Sequence, residues 1–200
     1  MKINNFDYNI GNKKLGRDTL IFNMGTATEC PSKKLGLCKC SNKCYAMKPE
    51  IQYPHSCLPR RQRQAKYWKS TEMNTIIGDI TTAIKKHKKV KFVRINESGD
   101  LYGHADIIIL KLLAEKNPDT IFYLYTHRTD LIAITNRDSL PKNLIITTSN
   151  TKIEGYNEFR ITEPAIFDII DDGCLKCKGD CRNCNLCKVN HGKTVYVREH

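Results

Sequence analysis

Short apolar runs alternate with longer stretches of helical periodicity along the chain. Thr19–Met24 (TLIFNM) reads as a strand, and a cysteine-rich loop from Thr26 to Met47 follows it. From about Pro59 to Lys89, Tyr67, Met73, Ile76, Ile77, Ile80 and Ile84 fall near one face, which predicts a helix that Gly78 breaks. Val90–Ile95 (VKFVRI) alternates and is rich in β-branched residues, as a strand is. Ala105–Lys116 is an amphipathic helix stopped by Asn117-Pro118. Ile121–Tyr125, Leu144–Thr148, Phe159–Thr162 and Thr194–Arg198 read as further strands, Thr129–Asn136 as a short helix, and Ile166–Ile170 as an apolar segment.

Strands alternating with helices predict an α/β fold, a partial or complete parallel β/α barrel carrying cysteine-rich metal-binding loops. The expected organisation is an α/β core over residues 1–172, a cysteine knuckle over 173–188, and a terminal strand over 189–200 that belongs to the core. Polar residues gather just after successive strands: Asn96, Glu97, Ser98 and Asp100; Thr126, His127 and Arg128; Ser149 and Asn150; Glu163. C-terminal strand ends form the active face in barrels and open parallel sheets. Glu97 and Asp100 are the candidate carboxylates there, His127 the candidate base and Arg128 an anion contact. Asn96, Ser98, Gly99, Ser149 and Asn150 are the candidate cofactor contacts. The plainer reading is that the carboxylates cap the following helix or pair with Lys or Arg, and that His127 is structural.

Composition narrows the classes. The 200 residues suffice for one sizeable core, and 40% hydrophobic with 27% charged residues is the balance of a water-soluble globular chain. The start MKINNFDYNI carries no export signal, and the apolar run around Ile107–Leu113 is interrupted by Lys111 and too short for a bilayer. A cytoplasmic protein without membrane association is expected. The net charge of +12 suits an anionic partner, either nucleic acid or a nucleotide or phosphorylated ligand; a merely solvated basic surface is the rival account. Ten Lys and Arg fall between Arg60 and Lys91. Arg60, Arg61, Arg63, Lys66 and Lys69, with Tyr67 and Trp68 between them, form a candidate single-strand nucleic-acid surface, although core packing is the plainer fate of Trp68.

Ten cysteines in a reducing compartment point to metal rather than disulfides. Cys174, Cys177, Cys181, Cys184 and Cys187 read C-x2-C-x3-C-x2-C-x2-C, and the last three have the C-x2-C-x2-C spacing of ferredoxin-type loops. A 4Fe–4S cluster is the expectation, with a four-thiolate zinc site as the alternative. Cys30, Cys38, Cys40 and Cys44 form a second group after the first strand, with Cys57 beyond. One cluster or two are compatible with this number of ligands.

The stretch CPSKKLGLCKCSNKCYAMK, the central RINESGDL, the segment YLYTHRTDL and the C-terminal cysteine run resemble the phage gene-product-88 family. The resemblance covers most of the chain. It implies a phage origin and residence in the host cytoplasm, and it supplies no activity. The chain is also similar, more loosely, to radical S-adenosylmethionine enzymes, whose C-x3-C-x2-C loop follows the first strand of a partial barrel. Cys40 and Cys44 match the first two positions, and Met47 stands at the third. That similarity implies S-adenosylmethionine as a ligand, with the Glu97–Asp100 stretch near its amino group. Three functions follow as expectations: a redox or radical-type iron–sulfur enzyme, a nucleic-acid-binding protein with a structural cluster, or a zinc-stabilised interaction module.

Overall fold

The structure, a computed structural model, describes residues 1–40, 44–171 and 173–199. Residues 41–43 of the cysteine loop, residue 172 and residue 200 lie outside the described part.

An eight-stranded sheet organises the chain. Its body is β4 (Thr19–Phe22), β5 (Phe92–Ile95), β6 (Ile121–Thr126), β7 (Leu144–Ser149), β8 (Asn157–Thr162) and β10 (Thr194–Arg198), adjacent in that order and all parallel. The two-residue strands β3 (Asn9–Ile10), antiparallel to β4, and β9 (Leu175–Lys176), parallel to β10, form the edges. β1 (Lys2–Ile3) and β2 (Phe6–Asp7) make a separate small ribbon. The expected complete barrel does not form. Closure takes about eight strands long enough to pair on both sides, and two of the eight here are two-residue stubs. The sheet is open and mostly parallel.

From β3 to β8, strands adjacent in space follow one another in sequence, with α3 (Cys57–Ser70), α4 (Met73–Lys86), α5 (His104–Lys116) and α6 (Thr129–Ala133) in the crossovers; β10 then pairs with β8, leaving β9 at the edge. These helices bury one sheet face. Val93, Ile95, Phe122, Leu124, Leu144 and Ile146 meet the apolar stripes of the helices in one core. Trp68 joins that core, its ring 5.5 Å from Phe22, and its indole N–H donates to Asp106 at 2.7 Å.

The long helix expected over Pro59–Lys89 is two helices. The break falls at Thr71, whose backbone is extended, rather than at Gly78, which lies inside α4 with open space beside it. A mid-helix glycine costs about 1 kcal/mol relative to alanine, and the apolar face of α4 tolerates it. The two short helices α1 (Pro31–Lys34) and α2 (Met47–Gln52) lie in and just after the cysteine loop, and α7 (Pro164–Ile169) follows β8 with Ile166 and Ile169 exposed.

The second sheet face carries Phe92, Arg94, Tyr123, Tyr125 and Phe159. Arg94 stands opposite Tyr123 in register, and Tyr123 opposite Ile145. A 3-10 turn, Leu186–Lys188, in the C-terminal cysteine segment lies over it, with the Lys188 ammonium 4.0 Å from the centre of the Phe92 ring. The cysteine segment is thus the cover of this face.

Candidate functional site

At the strand ends, the RINESGDL segment is held by its own side chains and by β4. Asn23 Oδ1 accepts from the backbone N–H groups of Glu97 (2.7 Å) and Ser98 (2.9 Å), and Asn96 Oδ1 accepts from Met24 N–H at 2.7 Å. Gly99 adopts φ +81°, and a Cβ there would lie 2.5 Å from the Gly25 nitrogen. Only glycine meets both demands. Asp100 is buried and accepts four hydrogen bonds: from the Ser32 and Thr126 hydroxyls and from the N–H groups of Leu101 and His127. Burial raises its pKa, and these bonds oppose the rise. Asp100 thereby ties α1, β5 and β6 together.

The other predicted charges are engaged similarly. Arg128 is buried; its guanidinium forks onto Asp130 and donates to the Leu101 (2.7 Å) and Tyr102 (2.9 Å) carbonyls. Glu97 Oε1 accepts from Asn12 Nδ2 at 2.5 Å, and Ser98 Oγ donates to Glu50 at 2.9 Å. Glu50 is a keystone absent from the sequence reading. It is buried, pairs with Arg61 at 2.7 Å and receives Ala27 N–H.

The N-terminal cysteines gather at the ends of β6 and β7. Asn150 adopts φ +55°, which asparagine tolerates. Its Oδ1 accepts from Ile161 N–H at 2.7 Å and its Nδ2 donates to Cys40 Sγ at 3.3 Å. Lys39 donates to the Asn150 carbonyl (3.0 Å) and the Thr151 hydroxyl. The Cys40 thiol donates to Cys38, which lowers the Cys38 pKa and raises that of Cys40, and His127 lowers Cys38 further. Burial, with Asp100 nearby, pushes the Cys30 thiol up to about 11. Cys44 is close enough to act on Cys40. Among the described residues, His127 Nδ1 and Asn96 Nδ2 are buried without a hydrogen-bond partner. Ser149 ends β7, half of its register pair with Phe159. Cys57 opens α3, away from this group in the chain.

The C-terminal cysteines form a separate arrangement. Cys177, Cys181, Cys184 and Cys187 line one pocket against Tyr123 and Tyr125. Cys174 is exposed and does not line it. The Tyr125 hydroxyl donates toward Cys187, whose thiol burial pushes up to about 11; burial also raises Cys181, with Cys177 and Cys184 adding to the rise. Among the described residues, no three His, Cys, Asp or Glu side chains are gathered tightly enough to hold one metal ion. A single tetrahedral zinc needs four sulfurs within about 2.3 Å of one point.

The basic surface on α3 is largely consumed by the fold. Arg61 is buried against Glu50, Arg63 pairs with Asp7 at 2.8 Å, and Arg60 donates to Asn9. Lys66 is exposed, and Lys69 lies 4.6 Å from the centre of the Tyr102 ring. Sequence reasoning missed Arg94, Tyr45, Tyr123, Tyr125 and Lys188. The signal available for Arg94 was a charge in the alternation of VKFVRI, one residue before the end of the strand.

Fold and site define an open, singly wound α/β protein with one cysteine group at its strand ends and another on its second sheet face. The chain belongs to the Gene product 88 family, whose model matches residues 4–172. That match includes the N-terminal cysteine loop and stops before the C-terminal run. No curated protein and no solved structure matches the chain. The looser similarity to radical S-adenosylmethionine enzymes gains no support from these comparisons, and Met47, at the position of the third cysteine, has its sulfur 3.7 Å from the Lys33 ammonium. Among the described residues, no helix is long and apolar enough to cross a membrane.

Proposed function

We propose that this protein is an iron–sulfur redox protein of phage origin, acting in the host cytoplasm. The observation that carries this reading is the convergence of Cys177, Cys181, Cys184 and Cys187 on one aromatic-walled pocket. Their C-x3-C-x2-C-x2-C spacing lets a short chain wrap one cluster with its thiolates turned inward. A 4Fe–4S cluster there would supply one-electron transfer, and the tyrosine wall would limit water around it. The strand-end group of Cys30, Cys38, Cys40, Cys44 and His127 is the reacting end, in reach of a polar or anionic substrate. A second cluster at that end is the extended form of the same proposal.

Anaerobic purification followed by iron, sulfide and zinc analysis and a visible spectrum tests this. Brown protein with acid-labile sulfide near four per chain is expected, and Cys181→Ser should lose it. Colourless protein with stoichiometric zinc would replace this reading with the zinc-stabilised module. The nucleic-acid-binding alternative has less support, because Arg60, Arg61 and Arg63 are spent on internal contacts.

A further inference from the structure

Two cations and one phenol on the second sheet face lack the partners that their burial calls for. Lys188 is buried; it donates to the Cys181 carbonyl at 3.2 Å and rests on the Phe92 ring, and among the described residues it forms no ion pair. Arg94 likewise forms no ion pair there. One of its terminal nitrogens donates to Tyr45 Oη at 3.2 Å, its guanidinium carbon is 5.1 Å from the centre of the Tyr125 ring, and its Nε is buried with no hydrogen-bond partner among the described residues. The Tyr123 hydroxyl is also buried and, among the described residues, has no hydrogen-bond partner. Buried charges and donors are normally paired, since leaving one bare costs several kcal/mol or a few kcal/mol respectively.

The missing partner lies on the same face. Tyr123 and Lys188 line the pocket of the four cysteines, and Arg94 is the register neighbour of Tyr123. Lys188 donates to the Cys181 carbonyl, and Arg94 rests against the ring of Tyr125, which lines the same pocket. One carboxylate lines this pocket, that of Asp180, and it is paired with Arg182 at 3.0 Å. With Asp180 paired to Arg182, and Glu97, whose charge acts on Arg94, receiving Asn12 Nδ2, the site holds two cations and a donor that form no ion pair among the described residues.

We infer that Arg94 and Lys188 are the counter-charges, and Tyr123 a hydrogen-bond donor, of an anionic metal–thiolate centre held by Cys177, Cys181, Cys184 and Cys187. The inference deepens the iron–sulfur reading and rests on it for the identity of the metal. Four thiolates on a 4Fe–4S core carry about two negative charges, which two facing cations balance. One-electron reduction adds a further negative charge to the cluster, so these groups stabilise the reduced form more than the oxidised one. Arg94 also donates to the hydroxyl of Tyr45, which follows Cys44 of the strand-end group in the chain.

The test is a spectroscopic redox titration of the anaerobically purified protein and of Arg94→Gln, Lys188→Met and Tyr123→Phe, with the exposed Lys116→Met as control. The two charge variants should keep their iron and sulfide and show lower midpoint potentials than wild type, with a smaller fall in Tyr123→Phe. Arg94→Lys should fall less than Arg94→Gln. Potentials equal to that of Lys116→Met in all three variants would overturn the inference. Protein lacking iron and sulfide would end the cluster reading alone. The counter-charge inference is then read by titrating cadmium into the reduced protein and following the thiolate-to-metal band. Arg94→Gln and Lys188→Met should each bind about tenfold more weakly than Lys116→Met. No cadmium band, or equal affinities, would overturn it.

Discussion

The two cysteine groups differ in how they are put together. The C-terminal run brings Cys177, Cys181, Cys184 and Cys187 to one pocket within eleven residues, so its own spacing does most of the work. The N-terminal group depends on distant chain. Asn150 reaches Cys40 across 110 positions, and Ser32 reaches Asp100 across 68. Its environment is buried hydrogen bonding, whereas that of the C-terminal run is aromatic with facing cations. The family match follows the same division, covering residues 4–172 and ending before the run. A cysteine run spaced by local sequence needs only a wall to rest on; a tertiary site needs the whole core, and the match covers that core.

The comparison can be tested by perturbing each side separately. The largest expected effect is on metal content: Cys184→Ser should lose nearly all iron after anaerobic purification, and Cys174→Ser should retain it, because Cys174 is exposed outside the pocket. Equal loss in both would show that the pocket does not select its ligands. Next is stability at the other site. Glu50→Ala leaves Arg61 buried without its partner, and should cost about 3–5 kcal/mol in urea unfolding. A cost no greater than that of the exposed Glu115→Ala would remove Glu50 from its keystone role.

A smaller loss, about 1–3 kcal/mol, is expected for Asp100→Asn, which keeps the shape but loses acceptor capacity toward its four donors. Alkylation of Cys30 and Cys40 should speed up in that variant, and that of Cys181 should not. Equal acceleration at all three would mean that the two sites are mechanically one.

The smallest effect concerns pH and the C-terminal side. His191 Nδ1 accepts from Lys193 N–H at 2.9 Å, and Nε2 lies 3.0 Å from the Leu186 carbonyl, so the neutral ring satisfies both. Burial lowers its pKa. The unfolded chain then binds the proton more readily than the folded one. Stability is highest above the ordinary histidine range and falls as pH drops through 6.5 toward the lowered folded value. The urea midpoint should therefore fall between roughly pH 7.5 and pH 5.5, and His191→Gln should flatten that slope. An unchanged slope in the variant would assign it to another group.

Much of the fold is legible along the chain because periodicity is a local property. Thr194–Arg198 is a strand with those bounds, and Ala105–Lys116 is α5 with one residue added. The helix break was misplaced to Gly78, because the apolar face of α4 outweighs the intrinsic cost of glycine. Trp68 is in the core, as its place on the helix suggests. Of the candidate site, the polar residues after successive strands do converge at the strand ends. Their individual roles were not legible. Asp100 and Arg128 look catalytic by residue type, yet their hydrogen-bonding capacity is spent on neighbouring loops. Hydrogen-bond partners tens of residues away leave no periodic trace.

The sequence by itself determined the alternation of strand and helix, the family, the two cysteine groups and the tight spacing of the second. Side-chain periodicity and ligand spacing act over a few residues, and a chain carries such information without folding. Only the tertiary structure decided that the sheet stays open, that the C-terminal cysteines cover its second face, that Cys174 is left out, and that Tyr123 and Lys188 line the pocket of the remaining four, with Arg94 the register neighbour of Tyr123. Those outcomes depend on which strands pair and which face is left for the last segment to bury, and burial is a property of the assembled chain.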